Sequence, residues 1–148
     1  MVNLSRVSAQ DYTEIQNLYA TYGLYSDAGD ADGFASCFTT DGELSIPAIH
    51  MVIKGRDNLH AFKLQDKAQR GGRYRRHWNS GLAVEPLDDH TLRGRCYLHA
   101  YNGEPGQLPE LADVGVYEDT LVKEDGEWRF AKRVITMDAS SFTPPPTS

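Results

Sequence analysis

The first clear pattern along the chain is that of an amphipathic helix. Ser8 followed by Asp11 is similar to a capping box, with Asp in place of the usual Glu, and predicts a helix over residues 9–28. Two stripes recur at helical spacing within it: Ile15, Leu18, Tyr19, Tyr22 and Ser26, and then Ala20, Gly23, Leu24 and Asp27. Two stripes leave little polar surface, so we expect the later half of the helix to be buried on most sides.

The next segment alternates short helices and short strands. Gly29 and Asp30 end the first helix, and a short helix is predicted over residues 32–38. The sequence Thr-Thr-Asp-Gly at residues 39–42 predicts a turn, and strands are expected over 43–49 and 51–54 with a break near Pro47. A third helix is predicted over residues 55–69, where Gly71-Gly72 stops it.

From Arg73 onward the pattern is that of long strands, predicted over residues 74–87, 91–102, 111–124 and 127–138. Asp88-Asp89 and Asp125-Gly126 are typical of hairpin turns between them. Long strands that cover a helix curl, often with bulges. Helices first and a meander last therefore predict an α+β fold, with a curved sheet wrapped around the N-terminal helices. We expect residues 1–148 to form one domain, with residues 1–7 and 143–148 as tails.

Composition narrows the classes of function. The 148 residues include 15 Lys and Arg against 21 Asp and Glu, a net charge of −6 that disfavours a nucleic-acid partner. No apolar run is long enough for a membrane span, and the first residues lack the apolar centre of a signal peptide, which together favour a cytoplasmic protein without a membrane partner. The two cysteines, Cys37 and Cys96, are expected to be buried thiols.

Cofactor and metal motifs are missing from the sequence. It contains no CxxC, HExxH, GxGxxG, P-loop or GxSxG pattern, so we expect no cofactor and no metal, although a metal site built from distant residues is left open.

Asp27 and His77 are the strongest candidates for chemistry. His77 lies between Arg75 and Asn79 on the polar face of the first long strand, and position alone favours a surface histidine. Asp27, however, lies on an apolar helix face and needs a partner. A local capping role for it is disfavoured, because a carboxylate is unfavourable at the negative end of a helix. A curved sheet over the helix brings the two residues together as an Asp–His pair, the smallest unit that makes a base at neutral pH.

Further polar side chains are candidates for a binding site. Alternation along the second long strand places Leu98 and Ala100 on the core face, so His99 is expected to face outward unless a bulge turns it. Arg133 either closes a cavity and binds an acidic substrate or forms a salt bridge on the sheet face. Tyr22 and Tyr25 are core residues by spacing, and a ligand can satisfy their buried hydroxyl groups.

The order of these segments resembles the SnoaL-like branch of the NTF2-like superfamily, over about residues 8–138. The resemblance is carried by these segments: 15–19, 25–30, 38–42, 55–57, 76–79, 117–119 and 125–128, with Arg133 beyond them. It implies a cone-shaped α+β barrel with a deep apolar pocket, as in scytalone dehydratase, bile-acid 7α-dehydratase and hexachlorocyclohexane dehydrochlorinase. By that resemblance Asp27 and His77 match a catalytic dyad. The substrate-binding positions are then Tyr22, Tyr25, His99 and Arg133.

Two functions follow from the resemblance. The first is a cofactor-independent lyase or isomerase that uses Asp27 and His77 to abstract a proton from a small hydrophobic cyclic compound. The alternative is a non-catalytic binding protein or accessory subunit, similar to the small subunit of ring-hydroxylating dioxygenases. In either case we expect a homo-oligomer, a trimer or dimer, because the convex back of the sheet carries residues such as Tyr97 and Arg95 that suit an interface.

Overall fold

A computed structural model describes residues 6–141, so the predicted tail at 143–148 and residues 1–5 of the predicted tail at 1–7 lie outside the described residues. The elements in chain order are α1 (Ala9–Ala28), α2 (Ala31–Ser36), β1 (Phe38–Ile46), a 3₁₀ turn (Pro47–Ile49), β2 (Met51–Lys54), α3 (Arg56–Arg70), β3 (Tyr74–Pro86), β4 (Thr91–Gly103), β5 (Glu110–Glu124) and β6 (Glu127–Ser140). Within the described range, no helix has both the length and the apolar character needed to cross a bilayer.

The six strands form one sheet in the order β2-β1-β6-β5-β4-β3. Neighbouring strands are antiparallel except for β1 and β6, which are parallel. The sheet is curved and stays open, with β2 and β3 as its edges, so it is not a closed barrel. The predicted α+β fold is confirmed, with the helices at the N-terminal end of the chain and a meander after them.

Helix α1 begins and ends where its capping residues predict. The Ser8 hydroxyl accepts the backbone N–H of Asp11 at 3.0 Å, and Gly29 ends the helix in the left-handed conformation at φ 68°. The first predicted stripe is the buried one, and its members are Ile15, Leu18, Tyr19, Tyr22 and Ser26. The second stripe is covered only in part. The expectation of burial on most sides is wrong at Leu24, which is 67% exposed because the sheet covers one side of the helix.

Residues 39–42 form part of β1, so the predicted turn is wrong. The register of β1 against β6 shifts between Phe38 and Glu43, which indicates a bulge in a continuous strand. Gly42 permits this local geometry, because a Cβ there would lie 2.8 Å from the Phe38 side chain. The turn-forming residues therefore bend the strand without ending it.

The core lies between α1, α2 and the concave face of the sheet. Its centre is a set of aromatic side chains in edge-on or tilted contact: Tyr22, Phe34, Phe38, Tyr117 and Phe130. Cys37 and Cys96 are free and buried, as expected. Strand β3 bulges between Ser80 and Ala83, where Gly81 has a φ of +68°.

Candidate functional site

Asp27 and His77 contact each other where the end of α1 meets the edge strand β3. The Asp27 Oδ1 atom lies 2.5 Å from His77 Nδ1, and its Oδ2 atom accepts the backbone N–H of His77 at 3.0 Å. Because β3 has no strand beyond it, the carboxylate accepts an N–H that a neighbouring strand would otherwise take. The two side chains are only 9% and 10% exposed. The predicted contact between the Asp27 and His77 side chains is therefore confirmed.

The contacts of the imidazole define its tautomer. A carboxylate only accepts hydrogen bonds, so the proton facing Asp27 is on Nδ1. The Nε2 atom is then the acceptor, and Arg75 donates its Nε–H to it at 3.4 Å. Burial lowers the pKa of His77 below its ordinary value, the Asp27 hydrogen bond opposes this, and the Arg75 charge adds to the lowering. The neutral ring therefore presents a basic nitrogen at neutral pH.

His77 and Arg75 both border a narrow cavity between the helices and the concave face of the sheet. Its volume is about 50 Å³. Most of its wall is apolar, from Tyr22, Phe34, Leu44, Ile46, Phe62, Leu98, Tyr117, Ile135 and Met137. The polar part consists of Ser26, Lys63, Asp66, Arg75 and His77. The cavity thus joins one base and several charged groups to a hydrophobic wall.

Lys63 and Asp66 are functional candidates that the sequence pattern did not single out. The Lys63 ammonium donates to Ser26 Oγ at 2.9 Å and to Asp66 Oδ2 at 3.0 Å, and it lies 4.4 Å from the centre of the Phe34 ring. Burial lowers the pKa of Lys63. Helical spacing in the sequence could have identified them. Lys63 and Asp66 follow the buried Leu59 by four and seven residues and therefore lie on the same face of α3.

Arg75 is held in place by a second buried carboxylate. Its Nη2 atom contacts Asp113, and its Nη1 donates to the Asn102 side-chain oxygen at 2.9 Å. Ser140 in turn donates to Asp113 at 2.5 Å, and the Asp113 side chain has no solvent exposure. The guanidinium beside the base is therefore fixed by charge-assisted hydrogen bonds.

The two predicted tyrosines lie in different places. Tyr22 lines the cavity, and burial raises its pKa to about 12, so its hydroxyl stays protonated. Tyr25 does not line the cavity. It packs on Gly33 and borders a separate outer groove with Cys37 and Trp128. The prediction of Tyr25 as a residue of the same binding site is wrong, because its ring packs against Gly33 of α2 and lines the outer groove instead.

Arg133 lies in the core and not in the cavity, so its prediction as a substrate-binding residue is wrong. Its guanidinium donates to both oxygens of Asp119 at 2.8 and 2.7 Å, with no exposed surface on either side chain. Tyr22 and Tyr117, which do line the cavity, lie against it with ring centres 4.2 and 3.8 Å away. Two rings therefore separate this arginine from any ligand in the cavity.

His99 lies on the convex face of the sheet, and its prediction as a substrate-binding residue is also wrong. Its neighbours are Trp78 and Tyr101, whose hydroxyl lies 3.3 Å from His99 Nδ1. The register of β4 with β5 shifts only after Ala100, so no bulge turns the ring inward. Leu98 takes the cavity position on this strand.

A larger open groove borders the dyad from the other side. It lies between α1 and β3, has a volume of about 690 Å³, and includes the exposed side chains of Leu24 and Trp78. Asp27 occupies the Nδ1 atom of His77, and the Nε2 atom accepts the long 3.4 Å hydrogen bond from Arg75, which lines the cavity and not this groove. Within residues 6–141, no three His, Cys, Asp or Glu side chains cluster as a metal site requires.

Solved structures with the same architecture place this geometry in context. Rv3472 of Mycobacterium tuberculosis, a protein of unknown function whose structure was solved as an Asp-to-Asn variant, is 30% identical with a TM-score of 0.76, covering 87% of this chain and 72% of that one. Aln2 from Streptomyces sp. is 26% identical with a TM-score of 0.80, covering 89% and 93%. An NTF2-like protein of cystatin-like fold from Novosphingobium aromaticivorans is 23% identical with a TM-score of 0.74, covering 89% and 85%.

The sequence itself gives a family assignment. No curated protein matches the chain. A family model described as a SnoaL-like domain matches residues 7–134. The matched range includes Asp27, His77 and all the residues that line the cavity except Ile135 and Met137. On that match, and on the shared NTF2-like fold, the chain belongs to the SnoaL-like family.

Proposed function

We propose that this protein is a cofactor-independent lyase or isomerase in which His77 abstracts a proton from a small hydrophobic cyclic compound. The observation that carries the proposal is the contact of Asp27 with Nδ1 of His77, a residue that lines the cavity. This contact leaves Nε2, which has only weak engagement with Arg75 at 3.4 Å, as the proposed base. The SnoaL-like family includes polyketide cyclases and dehydratases, which supports an enzyme of this kind.

The dyad supplies the base, and its neighbours supply stabilisation of charge. His77 takes the proton from carbon, and Asp27 stabilises the imidazolium that forms. Negative charge then develops on an enolate oxygen or on a leaving group. Arg75 and Lys63 present cationic N–H donors to the same cavity, where low solvent access strengthens their effect. Tyr22 provides a neutral donor in the wall.

The wall of the cavity indicates the type of compound. Leu98, Ile135 and Met137 offer apolar surface without hydrogen-bonding groups, which favours a hydrocarbon ring over a sugar or nucleotide. A volume of about 50 Å³ is far below the roughly 300–1,000 Å³ of typical ligand pockets. Substrate binding therefore requires the wall to widen, and unbranched Met137 is the side chain best suited to move.

The narrow cavity is also the observation that favours a second function. A protein that binds no substrate needs no larger space, and the ion pairs of Lys63 and Arg75 then serve to fix the fold. In that case the NTF2-like domain is a non-catalytic binding protein or accessory subunit. It has no turnover to lose. An accessory subunit needs no wider cavity, whereas a binding protein needs the wall to widen as a substrate would, with ligand affinity following apolar residues such as Leu98.

The experiment is a screen of cyclic hydroxy-, halo- and keto-compounds with the wild-type protein, followed by His77→Ala. The exposed Asp32–His60 pair, with 3.1 Å between Oδ1 and Nε2, offers a matched control in the same chain. His60→Ala should leave turnover unchanged, whereas His77→Ala should abolish most of it. If His77→Ala turns over a compound at the wild-type rate, the proposed mechanism is wrong.

A further inference from the structure

A second pocket next to the cavity is lined only by polar side chains. It has a volume of about 200 Å³ and shares Asp66 and Arg75 with the cavity. The side chains that matter for recognition are Arg70, Arg73, Arg75, Asp66, Gln69 and Asn102. Three arginines thus converge at one end of the proposed substrate site in a protein whose net charge is −6.

Two of the three arginines are oriented by different partners. Arg70 donates to the backbone oxygens of Ser26 and Asp27 at 2.9 and 3.1 Å, which satisfies carbonyl groups at the end of α1. Arg75 is fixed by Asp113. Both guanidinium groups are therefore held before any ligand arrives, which reduces the entropy lost on binding.

Two features leave capacity for an incoming anion. The Nε–H of Arg70 is buried and has no acceptor among the described residues, and such an orphan donor next to a polar pocket calls for a missing partner. Arg73 contacts Glu104 at 3.2 Å, but both side chains are about half exposed, and an ion pair in that setting contributes little. An anion held by several arginines can replace Glu104. Asp66 is the opposing charge in the pocket, and Lys63 and Arg70 already neutralise it.

We propose that the pocket of Arg70, Arg73 and Arg75 binds an oxyanion, the carboxylate or phosphate group of the ligand. A planar guanidinium pairs with these groups through two parallel hydrogen bonds. The shared residues place that group beside the apolar cavity, so the ligand is an acidic compound with a hydrophobic ring. This last step, and only this step, rests on the proposed function, because it takes the cavity as the site of the ring.

The test measures binding and not turnover. Benzoate, acetate, inorganic phosphate and neutral benzamide are titrated into the ¹⁵N-labelled protein, and the arginine Nε–H signals are followed by NMR. We expect the oxyanions to shift the Arg70 and Arg73 signals, with weaker binding at higher salt, and benzamide to leave these signals unshifted. Benzoate binding tighter than acetate indicates a ring in the cavity. Phosphate binding as tight as benzoate indicates recognition of the anion alone, and both results support the oxyanion site.

Two arginine variants distinguish a specific anion-binding site from non-specific attraction by positive charge. Arg73→Gln removes a half-exposed guanidinium and leaves the buried contacts of Arg75 intact, so the fold should survive, as checked by an unchanged melting temperature. It should weaken the binding of benzoate by about tenfold, because roughly one charge-assisted hydrogen bond is lost. Arg76→Gln also removes one positive charge, but Arg76 lies on the face of β3 opposite to Arg75. It should change benzoate affinity less than about twofold, because it alters only a long-range charge that salt screens.

Three results would overturn the proposal. They are equal binding of benzoate and benzamide, equal effects of the Arg73 and Arg76 variants, or no oxyanion binding up to about 50 mM, a range that includes weak fragment affinities. The outcome is independent of catalysis. If benzoate binds while no compound is turned over, the proposed function fails and the oxyanion site stands. If neutral compounds are turned over while no oxyanion binds, the reverse holds.

Discussion

Arg133 and Asp119 form a fully buried ion pair in which the guanidinium donates to both carboxylate oxygens. The Tyr19 hydroxyl donates to the same carboxylate, so Asp119 serves two partners. Four aromatic rings, those of Tyr19, Tyr22, Tyr117 and Phe130, surround the guanidinium. Such a pair contributes to the fold chiefly because neither charge can be left alone in this environment.

Removal of this arginine alone should therefore be costly. We expect Arg133→Met to lower the free energy of unfolding by about 3–5 kcal/mol, because Asp119 is left as an unpaired buried charge. Urea denaturation measures the loss. The matched control is Lys132→Met on the same strand, where a half-exposed pair with Glu43 should contribute less than about 1 kcal/mol. Equal unfolding midpoints for the two variants would contradict the assignment of Arg133 to the core.

The dyad variants should show that Asp27 and His77 act as one unit. We expect His77→Ala and Asp27→Asn each to reduce turnover by about 10²–10⁴-fold, the usual contribution of a general base. The double variant should be little worse than either single variant, because one residue acts through the other. Steady-state kinetics on a compound from the screen gives the comparison. Losses that multiply in the double variant would show that the two residues act independently.

The protonation of His77 should couple to stability with a definite sign. Burial lowers the folded-state pKa of His77 below the ordinary 6.5, so the unfolded chain binds the proton more readily. The contribution of His77 to the free energy of unfolding is therefore fully present above pH 6.5 and is lost as the pH falls through the folded-state pKa. His77→Asn should show a smaller loss of unfolding free energy on acidification. Ring NMR of folded and urea-unfolded protein checks the direction, and Asp27→Asn should lower the folded pKa further because it removes a group that raises it.

Strand β4 should tolerate no side chain at Gly94. A Cβ there would lie 2.3 Å from the Tyr19 hydroxyl oxygen, which is held by Asp119. We expect Gly94→Ala to lower the free energy of unfolding by about 1–3 kcal/mol, as overpacking does. Gly72→Ala is the control, since nothing lies within 4 Å of its added Cβ. Thermal unfolding of both variants tests this prediction, and equal melting temperatures would refute the close approach of Gly94 to Tyr19.

Association of the chain with itself stays a prediction. The convex face of β3 and β4 exposes Tyr97 and Trp78, which are 65% and 52% accessible to solvent, and aromatic residues are enriched in interfaces. We expect a homo-oligomer in sedimentation, and Tyr97→Glu should dissociate it without unfolding it. Sedimentation of the wild-type protein as a 16.5 kDa monomer at micromolar concentration would refute the prediction.

Local signals in the sequence predicted most of the fold. Ser8 and Gly29 set the bounds of α1, and the alternation in β4 placed Leu98 inward and His99 outward. The dyad followed from a carboxylate on an apolar helix face, which is a local observation about Asp27. These signals are reliable because each depends on chain geometry within a few residues.

The features that the sequence did not predict depend on how deeply a side chain lies in the core and on contacts with residues distant in the chain. Alternation gives the face on which Arg133 lies but not its distance from the cavity, which Tyr22 and Tyr117 decide. Helical spacing likewise cannot show that the sheet leaves Leu24 uncovered. The bulge at residues 39–42 arises from pairing with β6, far along the chain. That the whole chain forms one domain also stays a prediction.

The hydrogen bond from the His77 backbone to Asp27 protects a sheet edge. An open strand edge invites pairing with another chain, and a carboxylate fixed against it discourages that approach. The residue that orients the proposed base thereby also guards against edge-to-edge aggregation. Replacement of Asp27 by an apolar residue removes both effects at once, so its cost should be visible in the yield of soluble protein as well as in catalysis.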